Sequence, residues 1–195
     1  MSLLARLFAF EAKGMTSMVM WLARRRNGVP HGATAVGYAR EQSMTLVVIL
    51  FVMVVETVGI DLLLIALDVP LWLRAFVLIV DIYGILFALA LGAGSVTRPH
   101  VVTPDELRIR YAVYFDLRVP RDLIQSVRLA RNFNENSMVA VKDGRLSVAV
   151  SSQTNVLIEL TEPVTVTRPL GGSAEATTIR FFADTPAAVV TALRA

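Results

Sequence analysis

The chain of 195 residues is 55% hydrophobic and only 18% charged, with a mean hydropathy of +0.60, whereas about a quarter of the residues in an ordinary soluble domain are charged. It contains no cysteine, which excludes disulfides, thiolate nucleophiles and cysteine-bound metal centres. Its formal net charge is +3, and every basic residue except Lys13 and Lys142 is arginine, a bias typical of GC-rich bacterial genomes. The composition therefore predicts a bacterial membrane protein.

Residues 1–43 are predicted to form a basic, partly amphipathic segment beside the membrane. Apolar residues are interspersed with charges over residues 2–12, and a second apolar stretch ends in three arginines at 24–26. Such a segment can lie along the membrane surface, where each basic residue gains roughly 1 kcal/mol from anionic headgroups. The alternative is that these arginines only set the topology. A turn-rich break follows at residues 27–32, and His31 is expected in a loop there.

Two apolar blocks, residues 44–67 and 71–94, are each long enough to cross a hydrocarbon core of about 30 Å as a helix. The short connection between them contains Asp68 and Pro70, and a proline there ends the first helix and suits the start of the second. The blocks predict a transmembrane hairpin. Because basic residues precede the first block and the turn carries only Asp68, the positive-inside rule places both termini in the cytoplasm, at the inner membrane.

Four charged residues fall inside these blocks, at a cost of roughly 2.5 to 3.5 kcal/mol each near a helix centre. They form a predicted intramembrane polar network: Glu56, Asp61, Arg74 and Asp81. If the hairpin is symmetric about its turn, Asp61 lies about one turn from Arg74, which predicts an ion pair. Glu56 then shares the depth of Asp81, and if the two carboxylates meet, at least one is protonated. The network is either a proton or ion path or a neutral hydrogen-bonded contact across the hairpin or a homodimer seam.

One face of the second block carries small residues. Arg74 and Asp81 are seven residues apart, and Gly84, Ala88 and Gly92 continue their face as a small-xxx-small series that lets another backbone approach closely. This face is predicted to be packed. Its glycines and alanine are also a candidate contact for a homo-oligomer.

Residues 95–195 change from helical blocks to about seven short alternating runs separated by turn residues, which predict β-strands. Residues 184–186 then provide a cap and an early proline for a short amphipathic helix at the C-terminus. The predicted fold is α+β: a two-helix transmembrane hairpin and a small antiparallel β sandwich or open barrel closed by one C-terminal helix.

Three stretches of the chain, residues 102–110, 119–128 and 184–193, resemble the bacterial PH-like domains found in integral membrane proteins. In that family a pair of membrane helices commonly precedes such a domain, so the resemblance covers about residues 45–195. The shared features are turn and strand patterns and not catalytic signatures. The resemblance therefore implies a fold and membrane attachment, whereas the molecular role of the family is mostly unassigned.

Three arginines of the β domain form a candidate patch for anionic lipid or a partner protein: Arg108, Arg110 and Arg121. Arg108 and Arg110 share one face of a strand, and the arginine fork suits phosphate. The alternative is the solvated polar face of a half-buried sheet. The chain departs from the phosphoinositide-binding pattern of eukaryotic PH domains, which needs closely spaced basic residues on the first two strands and their loop.

No catalytic constellation is recognisable, so neither an enzymatic activity, a cofactor nor a bound metal is expected. His100 directly follows Pro99 near the membrane exit, and its spacing relates it to no nucleophile. The charge balance of the β domain also argues against nucleic-acid binding. The sequence predicts a membrane-anchored binding or scaffold protein whose PH-like domain recruits a partner protein or anionic lipid. The alternative is a small oligomeric channel or transporter accessory that uses the intramembrane polar network.

Overall fold

The computed structural model describes residues 3–168 and 172–195, and the side chains among them from Glu11 onward. The described chain forms four α-helices, nine β-strands and a single 3₁₀ turn at Arg121–Leu123. In chain order they are α1 Leu3–Leu22, β1 Thr34–Val36, α2 Arg40–Ala66, α3 Leu71–Thr97, β2 His100–Val102, β3 Glu106–Tyr111, β4 Phe115–Pro120, β5 Ile124–Asn132, β6 Val139–Lys142, β7 Arg145–Val148, β8 Thr154–Thr167, β9 Ser173–Phe181 and α4 Pro186–Arg194.

The two apolar blocks form the hairpin α2–α3, with Pro70 immediately before α3 and Asp68 in a left-handed conformation in the turn. Both helices are longer than the predicted blocks because polar turns extend them at the β-domain end. Each has 27 residues, or about 40 Å at 1.5 Å per residue. The most apolar 18-residue stretches of α2 and α3 have mean hydropathies of 2.6 and 2.4, and none of their residues is buried inside the described chain. Apolar surfaces of this extent indicate membrane association.

The small-residue face of α3 is packed, as predicted, and the partner is α2 of the same chain. A Cβ atom on Gly84 would lie 3.2 Å from Cε of Met53, and one on Gly92 would overlap Leu46. The glycines therefore let the two helices of the hairpin approach each other. Gly84 and Gly92 thus face α2 within the chain, and a homo-oligomer contact through Gly84, Ala88 and Gly92 stays a prediction.

The first half of the predicted segment 1–43 forms one helix, α1, which packs along α3. A Cβ atom on Gly14 would lie 3.3 Å from Cβ of Ala90, and Arg98 donates a hydrogen bond from Nε to Oγ of Ser17 over 3.2 Å. Elsewhere on α1, the side chains of Met15, Val19 and Leu22 are exposed. The side chains of residues 2–10, which carry most of the predicted amphipathic pattern, lie outside the described part. Helix α3 thus packs against both α1 and α2.

The β domain consists of two sheets, with strand orders β1-β2-β3-β4 and β5-β8-β9-β7-β6. Buried residues from both sheets, including Leu107, Ile109, Ile158 and Phe181, form one core, and Val189 of the C-terminal helix α4 joins it. This confirms the α+β class, the sheets and the closing helix. One neighbouring pair, β7–β9, is parallel, which a purely antiparallel plan does not contain.

The β domain also contains a strand that precedes the hairpin. Strand β1 pairs with β2, placing Val36 opposite His100, and Tyr38 is fully buried in the core. The hairpin α2–α3 is therefore inserted between two neighbouring strands, and the domain does not begin at residue 95. Strand β1 was missed because three residues do not show an alternating pattern. Residues 169–172, whose proline and two glycines predict one of the turns between the alternating runs, lie mostly outside the described part.

Candidate functional site

One end of the first sheet abuts the helix ends. A Cβ atom on Gly94 of α3 would lie 3.2 Å from Cγ1 of Val113 in the β3–β4 turn. The Tyr111 hydroxyl donates to Oε1 of Gln42 in α2 over 3.2 Å, and Nε2 of Gln42 donates to Oγ of Ser95 over 3.2 Å. The β3–β4 turn therefore lies at the level where α2 begins and α3 ends, and the opposite ends of β3 and β4 extend away from the hairpin.

Arg110 fastens the chain after α1 to the outer face of this sheet. Its Nη1 and Nη2 donate to the backbone carbonyls of Asn27 and Gly28 over 2.7 and 2.8 Å, and the Asn27 N–H donates to the carbonyl of Thr97 over 2.8 Å. Arg110 is only 1% exposed and has no ion pair within the described chain. Burial, reinforced by the charge of Arg108, lowers its pKa to about 10. Arg110 is therefore a structural clamp and is not at the surface of the predicted patch.

Arg108 lies two residues before Arg110, on the same face of β3 and farther from the helices. Its guanidinium makes a two-pronged ion pair with Asp116, with Nε 2.7 Å from Oδ1. Burial opposes ionisation of Asp116, but the hydrogen bond and charge of Arg108 prevail and lower the pKa of that carboxyl. On β4, Arg118 pairs opposite Arg108, and its Nη1 lies 3.5 Å from Oε1 of Glu106. The outer face of β3 and β4 thus carries alternating basic and acidic groups.

An open pocket of about 380 Å³ lies between this face and the chain after α1. We call it the arginine pocket; its lining residues are Arg26, Gly28, Val29, Pro30, Val101, Thr103, Glu106, Arg108 and Arg118. Three guanidinium groups thus face one carboxylate. Arg26 makes no hydrogen bond or ion pair with the described residues, and the side chain of Arg118 is 62% exposed, so both retain free N–H donors. Planar guanidinium forks around an open pocket are suited to an anionic oxygen group such as phosphate.

Of the three arginines in the predicted patch, only Arg108 lines this pocket. Arg121 instead binds the C-terminal helix, because its Nη2 donates to the carbonyl of Leu193 over 2.9 Å. Arg26 and Arg118 were missed. Arg26 was treated as part of the topology signal. The alternation over β3 and β4 could have identified Arg118 as the cross-strand neighbour of Arg108.

The intramembrane polar network is only partly assembled. Nη2 and Nε of Arg74 lie 3.1 and 3.3 Å from Oδ1 of Asp61, so the predicted ion pair is confirmed. Glu56 is exposed on α2, Asp81 is half-buried on α3, and neither has a hydrogen-bond or ion-pair partner among the described residues. Glu56 is exposed outside the stripe of α2 that faces α3, so the condition that the two carboxylates meet is not fulfilled within the described chain. Within one described chain, these groups do not make a continuous polar path.

His100 is a core residue with both ring nitrogens bonded. Its Nε2 donates to the carbonyl of Phe182 over 2.8 Å, and the partners assign Nδ1 as the acceptor of the Arg110 backbone N–H over 3.1 Å. Burial lowers the pKa of His100 to about 4, so the ring is neutral near pH 7. Within the described residues, no group of three or more histidine, aspartate and glutamate side chains is arranged to hold a metal ion.

Gly28→Ala is expected to destabilise the protein more than Gly32→Ala. Both glycines have a positive φ, so alanine adds about 1–2 kcal/mol of backbone strain at either position. A Cβ atom on Gly28 would also lie 3.1 Å from Nη2 of Arg110 and 3.2 Å from Nη1 of Arg108, whereas one on Gly32 meets nothing within 4 Å. Thermal unfolding in detergent, followed by circular dichroism, measures both variants. Equal losses of stability in the two variants would show that the guanidiniums of Arg108 and Arg110 do not require a glycine at position 28.

Comparisons of this chain with protein-family models, with curated proteins and with solved structures found no match. The resemblance to PH-like domains therefore stays a prediction from the sequence stretches quoted above. The function proposed below is therefore based on the geometry of the arginine pocket and the hairpin.

Proposed function

We propose that this chain is an integral membrane protein whose hairpin α2–α3 spans the bacterial inner membrane, and whose PH-like β domain binds an anionic lipid headgroup at the cytoplasmic face. The observation that carries this proposal is the arginine pocket, whose residue Arg26 directly precedes Asn27, the residue bonded to the end of α3. The pocket supplies the charge and donor geometry that a phosphate requires. The nearby helices would keep it within reach of headgroups.

Three features support insertion of the hairpin. Its apolar surface is exposed along both helices. Trp72 lies in the first turn of α3, and Trp21 lies in the last turn of α1, next to the other end of α3. The two tryptophans are therefore spaced as in the aromatic belts of membrane proteins. The charges of Asp61 and Arg74 are paired, which reduces the cost of placing them in lipid.

The arrangement of charges favours lipid over a soluble partner as the occupant. Arg24 and Arg25 are exposed directly before the pocket residue Arg26, so the basic groups extend from the pocket towards the end of α1. A basic cluster at the cytoplasmic end of apolar helices gains from the anionic leaflet, roughly 1 kcal/mol per residue. Two packed sheets closed by α4 are compatible with a PH-like domain. The parallel pair β7–β9 is a feature that the predicted antiparallel plan does not include.

The test measures lipid retained by the full chain in a neutral detergent, by native mass spectrometry with phosphatidylglycerol or phosphatidylcholine. We expect wild type to retain phosphatidylglycerol preferentially. The double variant Arg26→Gln/Arg118→Gln is expected to lose at least about tenfold in apparent affinity, since even one charge-assisted hydrogen bond to phosphate contributes roughly 1.5–3 kcal/mol.

The matched control is Arg128→Gln. Like Arg118, Arg128 is a mostly exposed strand arginine, and it lies 3.6 Å from a glutamate, Glu159, but it is outside the pocket. Its substitution is expected to leave lipid retention unchanged. Equal retention by the double variant and wild type would refute the pocket as a lipid site, and a co-purifying protein lost only from the double variant would identify a protein partner instead.

A further inference from the structure

A second surface of the β domain combines exposed apolar side chains with one arginine. Leu129, Phe133 and Met138 are 57–60% exposed, and in the described part of the β domain they are the only large hydrophobic side chains this exposed. The guanidinium of Arg131 lies over the Phe133 ring at 5.4 Å from its centroid. We call these four residues the apolar lip. Leu129 and Arg131 lie near the end of β5, and Phe133 and Met138 lie in the connection to β6, on the sheet that does not carry the arginine pocket.

Contacts place the apolar lip at the start of α2. The Tyr111 hydroxyl, which lies 3.2 Å from Oε1 of Gln42, is also 3.4 Å from Sδ of Met138. An open cavity of about 420 Å³ is lined by Leu129 and Arg131 on one side and by Arg40 and Glu41 of α2 on the other. The exposed apolar surface of the hairpin begins at Met44, one turn farther along α2. The lip therefore lies near the start of the apolar surface of the hairpin, with the charged residues Arg40 and Glu41 between them.

Hydrogen bonds brace the chain segment that carries the lip. Oε1 of Glu135 accepts from Nδ2 of Asn132 over 2.8 Å, and the Glu135 N–H donates to the carbonyl of Ser152 over 3.1 Å. The Ala149 N–H donates to the carbonyl of Met138 over 2.8 Å. The exposed apolar groups are thus presented by an ordered part of the sheet, so their exposure is a property of the fold.

We infer that the apolar lip docks the β domain onto the lipid surface: Phe133 and Met138 enter the boundary between headgroups and acyl chains, and Arg131 binds lipid phosphate. The combination of apolar side chains with a cation matches the composition of that boundary. This inference rests on the proposed membrane insertion and goes beyond it, because it gives the domain a second contact, separate from the arginine pocket. Together the two contacts set the orientation of the domain on the membrane.

The test uses quenching of tryptophan fluorescence by brominated lipids in vesicles that contain the full chain. Phe133→Trp is introduced into a Trp21→Phe/Trp72→Phe background. Glu162→Trp in the same background is the matched control, because residue 162 is exposed on β8 near the 3₁₀ turn, at the end of the domain away from the helices. We expect the tryptophan at 133 to be quenched at least about twofold, most strongly by bromines near the headgroups, and the one at 162 to be unaffected.

A third variant, Trp21→Phe alone, retains Trp72 in α3 and reports on insertion of the hairpin. Quenching of Trp72 without quenching at position 133 overturns the docking of the lip and leaves membrane insertion standing. If Trp72 is not quenched, the proposed insertion fails, and the inference fails with it. An unquenched but blue-shifted and concentration-dependent emission from position 133 also overturns the inference, because it assigns the lip to a second copy of the chain.

Discussion

Arg74→Ala is expected to destabilise the hairpin in a lipid bilayer by about 3 kcal/mol, because it leaves the carboxylate of Asp61 without its partner in an apolar environment. The two side chains are joined by two contacts, at 3.1 and 3.3 Å, to the same carboxylate oxygen. In water, an ion pair with both side chains partly exposed is worth only about 0–1 kcal/mol. The size of the effect therefore depends on the environment of the hairpin.

A double-mutant cycle of Arg74→Ala, Asp61→Ala and the double variant, unfolded by denaturing detergent in bicelles, measures this effect. We expect the double variant to lose less stability than the sum of the two single losses, since removing both charges leaves no unpaired group. Arg118→Ala, which breaks an exposed pair outside the hairpin, is the control and is expected to cost less than about 1 kcal/mol. Equally small losses at position 74 would argue against an apolar environment around the pair.

The free energy of unfolding is expected to fall by about 3 kcal/mol as the pH decreases from 6.5 to 4, owing to His100. Its pKa in the folded state is about 4, against 6.5 for an ordinary histidine, because the ring is buried. Above pH 6.5 both states hold the ring neutral, and this contribution to stability is fully present. Between pH 6.5 and 4 the unfolded state binds a proton that the folded state does not, so the contribution is lost as the pH falls.

Denaturant unfolding in detergent at several pH values measures this dependence. His100→Gln keeps an amide that can both donate and accept but removes the titrating ring, so its stability is expected to change less with pH over this range than that of wild type. His31→Gln is the control, because His31 is exposed in a turn, and its profile is expected to follow wild type. Parallel profiles for wild type and His100→Gln would show that His100 does not account for the loss.

The sequence by itself determined the elements that depend on local hydropathy and spacing. The hairpin follows from two long apolar blocks, each with only two charged residues, and the proline between them. The Asp61–Arg74 pair follows from the distances of the two residues to the turn. The turn between β6 and β7 follows from Asp143-Gly144, both of which adopt the positive φ that such a dipeptide tolerates. The C-terminal helix begins at Pro186, as predicted, but Asp184 accepts a hydrogen bond from the Arg40 N–H and so caps α2.

Only the tertiary structure decided which charged residues are exposed and what the packed faces contact. Alternation along β3 places Arg108 and Arg110 on one face, but the carbonyls of Asn27 and Gly28 bind only Arg110, and that contact spans more than 80 residues. The partner of the glycine face, the pairing of β1 with β2 and the position of Arg131 and Met138 near the start of α2 depend in the same way on distant segments. Local patterns specify which groups a segment presents, whereas burial and pairing depend on the segments that the fold brings against it.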